Sequence, residues 1–581
     1  MSEKPFARRN KKEIAELVSV ASGKQPADLC LDNGKIINVF SGEIIEGSVA
    51  IFKDRIAGVG PKYKANHRVD LRGAFLAPGF IDAHFHLESS MVTVPEFTRA
   101  VLPLGTTSAV ADPHEIANVF GYEGIRFMLE SSKYNPMNVF FTMPSCVPAT
   151  EMETSGSSMK AFDIYPFLPE KWVVGLGEVM NFPGVLHGDP DVLDKISIYS
   201  EKRLEGHAPG VGGKDLAGYI SAGISSDHEA TSIEEAQEKL RLGMYVMMRE
   251  GSAAKNLLDL LPLVTPENKS RFMMVTDDHN PVDIVKQGHM DGVVRKAIKH
   301  GLDPVTAIQL VTLNPAEYFG LRDLGAIGPG KLADFVVFNN FEDLKIHAVY
   351  KNGVLVAKNG KAVYDDPPRP KPTLRSSVNI KWLEGDEFIY PAGKGKCRVI
   401  KIIPDQIVTE QVLVKPKIEN GNAVSDPSRD MLKVCVLERH RASGRIGKGF
   451  VRGFGLKKGA VATTIAHDSH NIIVVGVSDK DIFRAVVRLN KIGGGISVVV
   501  DDKPIAELQL PIAGLMSENP LVDVAGQVEK ITEAIRGLGT ELEDPLMTLS
   551  FLALPVIPSL KLTDMGLVDV GTFDFVDLYT G

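Results

Sequence analysis

The chain has 581 residues, a length that at roughly 150 residues per domain suggests three to four domains. Apolar residues make up 44%, charged residues 24% and aromatics 7%, which excludes disorder, collagen and a disulfide-stapled miniprotein. The formal charge of −8 leaves no basic field to hold nucleic acid or anionic lipid, and four cysteines (Cys30, Cys146, Cys397, Cys435) with no CxxC supply neither a disulfide framework nor a thiolate zinc knuckle.

The N-terminus, MSEKPFARRNKKEIAELVSVASGK, lacks the uninterrupted apolar core of a secretory signal. No stretch reaches the ~20 apolar residues needed to cross a bilayer, so a cytoplasmic protein without membrane association is expected. Ile14, Leu17 and Val18 fall at helical spacing and predict an amphipathic helix. From Asp28 to about Leu71, apolar runs alternate with Asn-Gly and Asp-centred turns, as in hairpins. A similar β-rich stretch, GKLADFVVFNNFEDLKIHAVYKNGVLV, returns at 330–356. Residues 1–74 and 325–364 are therefore expected to form the two parts of a small β-sandwich around an inserted segment, 75–324.

That segment offers eight strand-like runs: 75–87, 106–114, 138–147, 172–180, 202–210, 223–229, 245–252 and 271–279. Helical patterns lie between several of them, including SIEEAQEKLRLG, where Ser232 and Glu235 have capping-box spacing. Eight β units alternating with helices over ~250 residues predict a (β/α)8 barrel. A doubly wound sheet would carry a Gly-rich phosphate turn after its first strand, and none is present. A Pro-rich linker is expected at 365–375, followed by a separate α/β or α+β domain at 376–581. The fold class is thus α/β, with a barrel inserted in a sandwich and a C-terminal domain appended.

Barrel active sites are built at the C-terminal ends of the strands. The first strand ends in His84-Phe85-His86, and period-two alternation puts both imidazoles on one face. The fourth ends at Glu178, the fifth at His207, the sixth at His228 and the eighth at Asp277. Any one of these alone is an ordinary rim or core residue. Six in equivalent positions of consecutive βα units point to a metal site, and an N/O donor set without thiolate suits Zn, Mn, Fe or Co. HEIAN (114–118) and HEATS (228–232) both lack the second histidine of HExxH. His86-Leu87-Glu88 lacks the downstream PCxxC of zinc deaminases, and neither GxxxxGK[ST] nor GxGxxG occurs.

GFIDAHFHLESS resembles the first-strand PGxIDxHxH motif of the amidohydrolase superfamily, and GAIGPGKLADFVVF resembles the return segment of its sandwich. More narrowly, HFHLESSM, GEVMNFPGV, GHAPG, SSDHE, TDDH and AHDSHN together resemble the bacterial and archaeal adenine deaminases over nearly the whole chain. The resemblance implies a dinuclear centre in which His84, His86 and Asp277 hold one divalent metal, His207 and His228 the second, and Glu178 bridges them. Hydantoinase-like relatives use a carboxylated lysine at that bridge. Manganese or iron is implied ahead of zinc, though the ligand types accept all three.

The implied reaction is hydrolytic deamination of adenine to hypoxanthine and ammonia, with Asp277 as the proton shuttle and Glu88 as a second catalytic group at a ring nitrogen. Asp278, His114, Ser89, His467, Asp468 and His470 are the candidate purine contacts, and a homo-oligomer, dimer or tetramer, follows the superfamily habit. Two other readings stand beside it. One is a hydrolase of a cyclic amide or acylated amine on the same scaffold; the other is an assembly protein that has kept the barrel and lost the chemistry.

Overall fold

The computed structural model describes residues 9–366, 368, 374–404 and 406–581, so most of the Pro-rich linker expected at 365–375 lies outside the described residues. Lys11–Ala21 is a helix, started by a capping box in which Asn10 and Glu13 satisfy each other's backbone N–H. Its buried face is only partly the predicted one: Leu17 packs inward together with Val20, while Ile14 and Val18 are exposed. Both spacings are helical, and the face was settled by the small residues Ala27, Ala50 and Ala57 that the helix packs against.

The two flanking β-rich stretches join in one nine-stranded sheet. The join is an antiparallel ladder between Phe75–Pro78 and Phe335–Phe338, running from Phe75↔Phe338 to Pro78↔Phe335. Leu31, Val49 and Ile51 from the first stretch share a core with Phe335 and Val337 from the second, so the inserted segment begins and ends at neighbouring strands. The run 75–87, predicted as one strand, is two. It breaks at Gly79, where a Cβ would lie 2.2 Å from Thr107 Oγ1, and Gly79 N–H donates instead to the Asp334 carbonyl. Phe75–Pro78 stays in the flanking sheet and only Phe80–Phe85 enters the barrel.

The barrel strands are β1 (Phe80–Phe85), β2 (Thr106–Ala111), β3 (Asn138–Met143), β4 (Val173–Val179), β5 (Arg203–Gly206), β6 (Ser226–Asp227), β7 (Tyr245–Arg249) and β8 (Phe272–Val275). β1 to β5 form one parallel sheet and β6 to β8 another. The ring closes at a parallel bridge, Phe85↔Asp277, while Ser225 N–H donates to the Leu204 carbonyl on the far side. Ser232 caps the helix Ile233–Arg241, but the reciprocal half of the predicted capping box is missing. The Glu235 carboxylate accepts from Gly210 and Thr231 N–H and pairs with Lys239.

The C-terminal domain is built on an eight-stranded mixed sheet. From edge to edge its strands are Thr409–Val414, Cys397–Ile402, Ile446–Arg452, Leu432–Leu437, Ile472–Gly476, Ala460–Thr463, Gly495–Val500 and Lys503–Gln509. The helix Asp479–Ile492 buries Ile482, Val486 and Leu489 on one face of that sheet. The loop and helix before the strand Leu560–Thr563 turn toward the open end of the barrel. No helix among the described residues is long and apolar enough to cross a membrane.

Candidate metal centre

β1 delivers His84 and His86 with ring centroids 5.0 Å apart. The strand end is fixed by the ring closure: His86 N–H donates to the Asp277 carbonyl and Asp277 N–H to the His84 carbonyl, at 3.3 and 3.0 Å. That closure sets Asp277 Oδ1 3.1 Å from His86 Nε2 and 3.6 Å from His84 Nε2. Across the ring the His84 and His228 imidazoles stack at 4.3 Å. Glu178 lies between the two halves. Its Oε1 is 3.4 Å from His86 Nε2, and its Oε2 is 2.7 Å from His207 Nδ1 and 3.1 Å from His228 Nε2. It is therefore placed to touch two ions at once.

Three triads within this set have all their ligand atoms within 4.8 Å of one another: His84–His86–Glu178, His84–His228–Asp277 and Glu178–His207–His228. All six residues are buried or nearly so. Both ring nitrogens of His84 and Nε2 of His207 have no hydrogen-bond partner, an expensive arrangement for buried polar atoms unless a cation takes their lone pairs.

The electrostatics agree. Burial would raise Glu178, but the His207, His228 and His86 rings hold it well below the usual carboxylate range. Burial would likewise raise Asp277, and the Arg249 guanidinium with His84 and His86 keeps it well below. Burial would lower His86, yet Asp277 and Glu178 hold it well above the ordinary imidazole range. The cluster draws positive charge, and its N/O donors suit divalent transition metals. It is a site for divalent metal.

Around the ligands the structure places groups that the strand-end reading passed over. Arg249, the last residue of β7, donates to Asp277 Oδ2 at 2.7 Å and also to Glu229. Glu229 Oε1 is 3.4 Å from His228 Nε2. Asp112, just past β2, accepts the Glu178 N–H through Oδ2 at 3.0 Å, and its carbonyl lies 3.1 Å from His86 Nδ1. The rule that found the ligands, applied to β7, would have found Arg249. Glu115 and Glu229 each directly follow a histidine already singled out.

The candidate purine contacts divide. His114, Asp278, His467 and Asp468 line one small cavity together with His86, Glu178, His207, His228 and Asp277. His114 spans the two domains, with Nδ1 3.6 Å from Glu178 Oε1 and Nε2 3.7 Å from Asp468 Oδ1. Ser89 stands behind the wall and donates to Asp278 Oδ1 at 2.6 Å. Glu88, two residues past His86, does not share a strand face with it. The chain turns into a short 3-10 helix at Leu87–Ser90, where Glu88 Oε1 accepts Ile116 N–H and Oε2 has no partner. Burial and the adjacent Glu115 charge push Glu88 up to about 8. His470 does not line the cavity. Its Nδ1 accepts Ala466 N–H, which leaves Nε2 as the donor side, 3.2 Å from Glu115 Oε2.

Comparison with known proteins places this arrangement. Residues 75–356 match the amidohydrolase family and residues 406–574 match the adenine deaminase C-terminal domain. An adenine deaminase of Desulfatibacillum aliphaticivorans is 49% identical over 97% of this chain and 99% of its own length. The chain belongs to the adenine deaminase family. Adenine deaminase 2 of Carboxydothermus hydrogenoformans is 48% identical over the same shares. A crystal structure described as that of an adenine deaminase aligns at a TM-score of 0.45 and 18% identity, over 57% of this chain and all of the other. The segment that matches the adenine deaminase C-terminal domain brings His467 and Asp468 to the cavity.

Proposed function

We propose that the chain hydrolyses adenine to hypoxanthine and ammonia at a dinuclear centre. The observation that carries this reading is Glu178, whose two oxygens face the two histidine groups separately, at 3.4 Å on one side and 2.7 and 3.1 Å on the other. Family membership over nearly the full length supports adenine as the substrate. In this reading His84, His86 and Asp277 would hold one ion, His207 and His228 the other, and Glu178 both. Manganese or iron is proposed ahead of zinc. Divalent ions held there would supply Lewis acidity, lowering the pKa of water from ~15.7 towards neutrality.

The chain's own groups move the protons. Water oxygen adds at C6, the bond from C6 to the exocyclic nitrogen breaks, and ammonia leaves with a proton taken from the water. Asp277 accepts that proton and returns it to the departing amine. Arg249 on Oδ2 keeps the carboxylate ionised and oriented while Oδ1 faces the cavity. Glu88, with Oε2 unengaged, gives a proton to a ring nitrogen as the water adds, and the second proton of the water, shed from the C6 oxygen as the carbonyl forms, restores it. His114, His467, Asp468 and Asp278 position the base, and Ser89 orients Asp278. His470 acts one step removed, by holding Glu115.

The test is purified protein loaded with Mn(II) and given adenine: ammonia and hypoxanthine in equal amounts support the reading, and no ammonia from metal-replete protein overturns it. A cyclic amide hydrolase is disfavoured by Glu at the bridge. A non-catalytic assembly protein is disfavoured by the full ligand set, and metal content below about one ion per chain would favour it. The homo-oligomer and the cytoplasmic setting remain part of this proposal.

A further inference from the structure

The cavity at the metal cluster measures about 40 Å3, against the roughly 300–1,000 Å3 of pockets that take small organic ligands. That is room for a few waters and too little for a purine. Beside it, between the barrel and the C-terminal domain, lies a second cavity of about 630 Å3. Ala253, Ile407 and Phe551 line both cavities, so they form the septum between them. The three belong to different elements: the loop after β7, the loop before the strand Thr409–Val414, and the end of the helix Pro545–Phe551. Their contacts are apolar, in a small cluster with Met547, Leu554 and Ile557, and Phe551 also stacks on the His467 ring at 4.7 Å.

The septum is held from behind by one side chain. Lys561 is fully buried, and its Nζ donates to the carbonyls of Ile407 at 2.7 Å and Phe551 at 2.9 Å. One amine thereby ties together the two parts of the septum contributed by the C-terminal domain. The large cavity carries five carboxylates, Asp283, Glu529, Glu533, Glu543 and Asp544, against three cations, and one of those, Lys286, is already paired with Glu529 at 2.6 Å. Such a lining disfavours phosphorylated ligands and leaves uncharged ones unaffected.

We propose that the 630 Å3 cavity is the antechamber of the metal site. It is a binding site for an uncharged planar heteroaromatic base, which passes to the metals by displacement of the septum of Ala253, Ile407 and Phe551. The inference rests on the deaminase reading only for the identity of the base. The acidic lining disfavours a nucleotide, so the substrate is drawn after the sugar and phosphate have been removed by a reaction that cleaves the glycosidic bond.

Filling the antechamber tests this without touching the metal site. Thr532→Trp and Thr548→Trp place a large side chain on its wall, at partly exposed positions, on two separate helices so that one misfolded variant does not end the test. The deciding readout is the rate at which 1,10-phenanthroline, an uncharged planar chelator, strips metal from the protein. It should fall at least about fivefold in a variant of wild-type metal content and unfolding midpoint, with kcat/KM for adenine falling at least tenfold. A stripping rate within twofold of wild type in both variants overturns the passage. If wild-type protein leaves adenine untouched, the deaminase reading fails, and the stripping rate still decides the antechamber.

Discussion

Single side chains set the chemistry. Of the six candidate ligands, only Glu178 turns its two oxygens to different histidine groups, so an uncharged isostere removes more than one contact. Glu178→Gln keeps the volume and the Asp112 hydrogen bond to the backbone N–H, yet loses the negative charge that both ions share. Changes to groups outside the ligand sphere already cost ~10–100-fold in metal affinity. The loss here should exceed ~10²-fold, read by elemental analysis after dialysis against a weak chelator. Glu88 gives the contrasting case. It touches no ligand directly, so Glu88→Gln should retain wild-type metal content and lower kcat by ~10²–10⁴-fold, the range for a lost general acid or base. A variant that loses metal as well would mean that Glu88 supports the cluster instead of the substrate. The six candidate ligands stood out in the sequence because strand ends converge in a barrel, and the structure brings those six together. Arg249 ends β7, so the same rule reaches it; Asp112 was not marked, because an aspartate just past a strand has many ordinary uses, and only its 3.0 Å contact with the Glu178 N–H separates this one.

At the scale of elements, β4 owes its working register to the lack of a side chain. A Cβ on Gly177 would lie 2.1 Å from Asp112 Oδ2, closer than any real contact, so the glycine lets β2's carboxylate reach the Glu178 N–H. Gly177→Ala must displace Asp112 or bend β4. Overpacking of this kind costs ~1–3 kcal/mol and should appear as a lower unfolding midpoint together with reduced metal content. Asp112→Asn, which retains an acceptor in the same volume, should be the milder change by both measures. Most barrel strands were legible as short apolar runs bounded by turn residues, while β5 (RLEG) and β6 (Ser226–Asp227) were legible only from their place in the alternation with helices. Less legible were features decided by packing: the break at Gly79, imposed by Thr107, the inward face of the first helix, and the 3-10 turn that swings Glu88 off the strand. Local periodicity fits either alternative in each case, and neighbours distant in sequence decide between them.

Across the whole molecule, the C-terminal domain matters because the barrel alone leaves its rim open, and AHDSHN supplies part of the wall. The sequence marked that motif as a dense polar cluster between apolar strands and by resemblance, since nothing in local spacing says that residues near 470 face residues near 114. The C-terminal domain's side of the septum also carries a titratable strain. Lys561 is wholly buried with only carbonyl partners, and desolvation lowers its ammonium from the usual lysine range to about 7. In the unfolded chain the same amine titrates near ~10.4. Between those values the unfolded state binds more protons than the folded one, so Lys561 makes stability rise with pH across about 7 to 10. Its contribution has a slope of at most about 1.4 kcal/mol per pH unit. Below pH 7 both states carry the proton, and the contribution is flat at its least favourable level. Lys561→Met removes the titration and the two hydrogen bonds together, but only the titration depends on pH. The wild-type protein should therefore gain on the Met variant steadily from pH 7 to 10 when the unfolding of the C-terminal domain is followed by denaturant titration. A difference constant over that range would show that the amine stays protonated in the fold, held by the Ile407 and Phe551 carbonyls strongly enough to offset its burial.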